Sequence, residues 1–141
     1  MDKLTANELR IGNLVTDEFY DSFKTTIKVE SINDKGINLL IEDDGNWSEI
    51  AQRWIGVEYT FDKLRPIPLT EEWLVRLGFE KLAGCLYLNT GSIEFYYTNG
   101  LRLVGIDIEG QCLSLPHINH VHQLQNLYWC LCGDELTIKS N

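Results

Sequence analysis

Between Leu82 and Ile118 the chain repeats one pattern four times: a short run rich in branched and aromatic side chains, closed by a turn signal. The runs are CLYLN, SIEFYYT, LRLVGIDI and CLSLPHI, and the signals between them are TG, NG and EGQ. Branched and aromatic residues suit a pleated, half-buried surface, and Asn99-Gly100 supplies the positive φ that a two-residue hairpin turn demands. Turns this short join antiparallel neighbours. The segment is therefore predicted to be a four-stranded antiparallel meander, with Ile93, Phe95 and Tyr97 on one face and Pro116 marking the last strand as an edge.

A one-sided sheet needs a cover, and helical patterns flank it. In RPIPLTEEWLVRLGFEK, residues 65–81, Pro66 and Pro68 hold the backbone extended and Thr70 is placed to cap a helix. Glu71 and Glu72 fall in its first turn, where the helix dipole favours negative charge, and Leu69 is set to staple against Leu74. Gly78 takes the left-handed stop position and sends Phe79 back towards Leu74. As a catalytic pair Glu71 and Glu72 fail, because adjacent helical side chains diverge by about 100°.

The second helix is predicted over VHQLQNLYWCLC, residues 121–132. On a wheel of 3.6 residues per turn, Val121, Leu124, Leu127, Tyr128 and Leu131 gather in one sector, the pattern of a face laid on a sheet. His120 or Asn119 is the expected cap, with His122 exposed and Trp129 outside the buried sector. Cys130 and Cys132 point too far apart to share an ion while the helix stays intact. His117, His120 and His122 form H-x2-H-x-H without a second ligand pair at zinc spacing. They are a secondary candidate metal site only. Cys85 and Cys112 carry no local signature of an activated nucleophile, and no phosphate loop or calcium loop is present. Neither catalysis nor a cofactor is expected.

The N-terminal part also reads as strands. ELRIGNLV starts one, with Gly12-Asn13 allowing a tight bend, and residues 25–42 form a hairpin about NDKG with Ile27, Val29 and Ser31 on one side. A short helix is predicted over 47–55, from the spacing of Trp47, Ile50, Ala51, Trp54 and Ile55, with Gly56 closing it. VEYTFDKL alternates, with Val57, Tyr59 and Phe61 inward. Several short strands around one helical turn suggest a small, strongly bent antiparallel sheet resembling an SH3-type barrel. The fold expected is α+β: a β-rich unit over 1–68, then an α-β4-α unit over 69–141.

Charge narrows the function. The 141 residues carry 21 acids and 12 bases, a net −9. Within 42–62, Glu42, Asp43, Asp44, Glu49, Glu58 and Asp62 face Arg53 alone, a net −5. Binding to a phosphate backbone needs clustered Lys and Arg, so nucleic acid is not expected as a direct ligand. An acidic surface steers encounters towards basic partners. No apolar run approaches the roughly 20 residues that cross a bilayer, and no export signal is evident, so a cytoplasmic protein with reduced cysteines is expected.

Three stretches, ELRIGN, PIPLTEEWLVRLGFEK and VHQLQNLYWCLCGDELTI, together resemble a group of short bacterial proteins carried in prophages and other mobile elements. The resemblance covers both ends and the centre, leaving out 15–64 and 82–118. Small or hydroxyl residues usually stand in the group where this chain has Cys130 and Cys132. No activity follows from it. Taken with the net −5 of residues 42–62, the mobile-element resemblance leads to the expectation of a non-enzymatic accessory protein that binds a basic host or phage protein, such as an antiviral CRISPR-type nuclease. The contact residues expected are Glu42, Asp43, Asp44, Trp47, Glu49 and Trp129. The alternative is a small-ligand or metal-binding protein, its pocket between the sheet and the last helix lined by His117, His120, His122 and Trp129.

Overall fold

The computed structural model describes residues 4–17, 26–42, 58–98 and 100–139, with the backbone alone for 39–42 and 58–59. The helix expected over 47–55, its stop at Gly56, and Val57 lie outside the described residues. The chain is α+β and divides into two compact units, Met1–Ile67 and Pro68–Asn141.

In the first unit, β1 (Leu14–Asp17), β2 (Thr26–Ile32), β3 (Gly36–Glu42), β4 (Glu58–Thr60) and β5 (Leu64–Arg65) lie in the order β4-β3-β2-β1-β5, all antiparallel. The described pairings do not close it into a barrel. Gly12 and Asn13 make the bend expected before β1: Gly12 has φ 96° and its N–H donates to Val29 O at 2.8 Å. Leu4, Leu9, Val15, Ile27, Val29, Ile37 and Leu64 form the core.

Two details differ from the sequence pattern. The β2–β3 register slips between Val29 and Ser31, leaving Glu30 as an extra residue. That bulge reverses the alternation, so Ile32, opposite Ile37, packs on the core where Ser31 was expected. The run read as one strand through Phe61 is interrupted too, because Phe61–Lys63 form a turn of 3-10 helix between β4 and β5. Phe61 packs against the core even so.

The second unit opens with α1 (Glu71–Arg76), built as its sequence specifies. Trp73 N–H donates to the Thr70 hydroxyl at 3.2 Å. At the other end Phe79 N–H donates to Leu74 O and Gly78 N–H to Val75 O, both at 3.0 Å, the two bonds of a Schellman stop. Strands β6 (Glu80–Leu82), β7 (Cys85–Asn89), β8 (Ile93–Thr98), β9 (Leu103–Ile108) and β10 (Gln111–Leu115) follow as an antiparallel meander in chain order. The expected meander is there with one more strand than predicted. Glu80–Leu82 carries too few apolar residues to read as a strand, yet pairs with β7 through the Ala83-Gly84 turn. Helix α2 (Val121–Cys132) closes the unit with the boundaries expected, and Gly133 ends it in the left-handed conformation.

Burial is greatest on one face of the central strands. Leu86, Phe95, Tyr97, Val104 and Ile106 are buried on the face that α2 covers, where the Phe95 and Tyr128 rings lie 5.4 Å apart. Leu74 of α1 is fully buried as well. Truncation of Leu74 to Ala is expected to cost about 3 kcal/mol through lost burial and the cavity left behind. Removing only the cap with Thr70→Ala should cost about 1 kcal/mol. Urea unfolding followed by circular dichroism checks both, and equal losses would contradict the placement of Leu74 in the core.

Candidate functional site: the outer face of the second sheet

A strand shows alternate side chains to opposite faces, so the register that buries Phe95 and Tyr97 fixes what the other face presents. One cross-strand row runs Glu80, Tyr87, Tyr96, Gly105, Ser114, and the next runs Asn89, Glu94, Asp107, Cys112. Gly105 has no side chain because the Tyr96 ring lies across it. A Cβ there would meet the ring's outer atoms at 2.2–2.5 Å. Tyr96 is thereby laid flat along the sheet beside the acids.

Glu94 and Asp107 stand directly opposite each other on β8 and β9. Two like charges in that relation destabilise a sheet. Among the described residues no lysine or arginine is in salt-bridge contact with either; Lys81, which lines a hollow together with Glu94, is paired with Glu71 at 2.6 Å. Asp107 has a structural duty too. It accepts from Gly110 N–H at 2.9 Å and from the Cys112 thiol at 3.5 Å, stapling the β9–β10 turn. Glu94, Asp107 and Glu109 also line one open hollow of about 390 Å³ with Asn89, Gly91, Ser92 and Ile93. A wider hollow of about 590 Å³ runs beside β6 and is lined in part by Glu80, Leu82, Tyr87 and Glu94.

The field of these acids is felt by their neighbours. The Cys112 thiol is pushed above the ordinary cysteine value, first by its hydrogen bond to Asp107, then by desolvation and by the charges of Asp107 and Glu94. Tyr87 is likewise raised, chiefly by its hydrogen bond to Cys85 and that group's charge, with desolvation and Glu94 adding to it. Both shifts hold the groups neutral. A thiol held protonated is the reverse of an activated nucleophile.

Asp43, Asp44, Trp47 and Glu49 lie outside the described residues, as does the Glu42 side chain; the Glu42 backbone ends β3, opposite Thr26. Trp129 is 43% exposed on α2, outside the buried sector as expected. Of the histidines, His117 is exposed, His120 half-buried and His122 buried at 1% exposure, which corrects the expectation that His122 faces solvent. The physical reason is a helix rolled towards His122 and Gln125. Gln125 is also buried, and its amide donates to Leu136 O at 3.0 Å where the chain folds back after the helix.

His120 does take the cap position. Its N–H donates to Gln123 Oε1 at 3.0 Å, Asn119 N–H donates to the same oxygen at 2.8 Å, and His120 Nδ1 lies 3.3 Å from it. The His120 and His122 rings stack at 6.0 Å. Among the described residues no three His, Cys, Asp or Glu side chains are placed to hold a metal ion. Neither hollow contains a histidine. Cys85 and Cys112 sit on the outer face, across the sheet from α2. Also among the described residues, no helix is long and apolar enough to cross a membrane.

Comparison with protein families, with curated proteins and with solved structures found no match to the chain.

Because the carboxylate of Asp107 holds the Cys112 thiol protonated, alkylation of Cys112 should set in at higher pH than for an unperturbed thiol. Asp107→Asn is expected to raise its iodoacetamide rate at mildly alkaline pH by roughly threefold. Peptide mapping by mass spectrometry reads the rate at this one site. An unchanged rate would mean that the Asp107 charge does not set the thiol's reactivity.

Proposed function

We propose that the chain is a non-enzymatic contact protein of a phage or other mobile element that captures a basic partner on an acidic surface. The observation that carries this proposal is the Glu94–Asp107 pair, two carboxylates directly opposed across strands with no described lysine or arginine in salt-bridge contact with either. A basic partner turns that repulsion into attraction, and the flanking Tyr87 and Tyr96 add flat, amphipathic contact area of the kind enriched at interfaces. A nuclease of antiviral defence is a fitting partner. Its channel is built to hold a phosphate backbone, and an acidic surface of this size competes for the same Lys and Arg side chains. The acids Glu42, Asp43, Asp44 and Glu49 of the first unit are proposed by themselves as a second contact for such a partner.

We also infer that the first unit is SH3-like. The likeness is supported by the strand order β5-β1-β2-β3-β4 and by the 3-10 turn between β4 and β5. Such a small bent sheet serves as a scaffold for contact rather than for a deep pocket.

Pull-down from host lysate with the whole chain is the test. Capture of a basic, nucleic-acid-handling protein is expected, weakened by added DNA and by salt. Joint reversal of Glu80, Glu94 and Asp107 to Lys should reduce recovery by about tenfold, as should reversal of Glu42, Asp43, Asp44 and Glu49. Capture that both variants leave unchanged would overturn the proposal.

A further inference from the structure

From Gly110 to Gly133 the chain has no Asp, Glu, Lys or Arg, although 23% of the whole sequence is charged. That interval contains all of β10 and all of α2. It is charge-free where it is buried and also where it is not. Leu113 is 56% exposed and Trp129 43%. Depletion of charge around exposed aliphatic and aromatic side chains is the composition of an interface core rather than of a solvated surface.

β10 is also an edge strand, and among the described residues nothing pairs on its far side. Edges are commonly guarded by shortness, by charge or by proline. The opposite edge, β6, has three residues, two of them Glu80 and Lys81, while β10 has five, all uncharged, with Pro116 placed only after its end. The two-residue turn Glu109-Gly110, with both φ positive, makes Ile108 and Gln111 the closing hydrogen-bonded pair. Alternation from there turns the backbone groups of Gln111, Leu113 and Leu115 inward to β9. Those of Cys112 and Ser114 point outward.

We infer that β10 is the interface for a second copy of this chain, paired antiparallel about a two-fold axis at Leu113. Cys112 then exchanges two backbone hydrogen bonds with the partner's Ser114, and Ser114 does the same with the partner's Cys112. Leu113 lies opposite the partner's Leu113 in the close, non-hydrogen-bonded relation. The register is selective. A shift of two residues one way brings in Pro116, which has no N–H, and the other way brings in Gly110, bent at φ 83° in the turn. Charge favours a second copy over a basic partner here. A chain of net −9 meets a copy of itself with least repulsion along a strand that carries no charge of its own, and such a strand offers a basic surface no carboxylate. The inference stands apart from the acidic-face proposal, since it concerns the other chemistry of the same unit.

Size-exclusion chromatography with light scattering at about 50 μM, a concentration at which a dimer of micromolar dissociation constant is largely formed, reads the result directly. The chain should run at twice its 16.2 kDa mass. Leu113→Lys and Ser114→Pro, both on the exposed edge, should each halve that mass while the circular dichroism spectrum stays unchanged. In a Cys112→Ser, Cys130→Ser background, Leu113→Cys should form a covalent dimer on a non-reducing gel. A wild-type chain of single mass overturns the inference. So does a dimer that both edge variants leave intact, and should those variants misfold, absence of the Leu113→Cys crosslink does the same.

Discussion

The contact of Phe95 with Tyr128, ring centroids 5.4 Å apart, decides which side of the second sheet is dry. An antiparallel sheet has two faces, and every side chain on it belongs to one or the other. Once α2 lies on the Phe95 side, Leu86, Tyr97, Val104 and Ile106 must be buried with it, and Tyr87, Glu94, Tyr96 and Asp107 must face outward. Burial of the apolar face is the main source of stability in a unit this small. The outer face is what that burial leaves for other uses.

What is left is not a generic polar surface. Opposed carboxylates, a tyrosine laid across a glycine, and a thiol and a phenol both kept neutral by their surroundings make a face that is negative without being nucleophilic. The uncharged interval that holds β10 and α2 is the complement of this. Its exposed apolar groups need cover, and its edge has backbone groups to offer. One unit thus separates two chemistries, charge on the outer face and neutrality along one edge.

Much of this architecture is legible in the sequence because it is local. Thr70 and Gly78-Phe79 specify both ends of α1 within ten residues, and the periodicity of 121–132 gives α2 its boundaries. What escapes is set by longer-range geometry. Asn99-Gly100 reads as a two-residue turn, but Thr98 pairs with Leu103, so the loop runs from 99 to 102. The shorter turn would set Glu94 opposite Gly105; two further loop residues bring it opposite Asp107. The acidic pair is therefore invisible until the register is known. His122 and Gln125 are buried for a similar reason, since the carbonyl of Leu136 that receives Gln125 arrives from beyond the helix. Strand β6 is three residues long with two charges, and no periodicity can mark it.

The account depends most on α2 as the cover of the sheet. Amide hydrogen exchange under increasing urea, read by mass spectrometry over Val121–Cys132 and Ile93–Thr98, tests that directly. If the helix closes the core, both segments exchange only when the unit unfolds, and they lose protection together. Helix peptides that exchange at the rate of exposed turns while β8 stays protected would show that the dry face was assigned to the wrong partner.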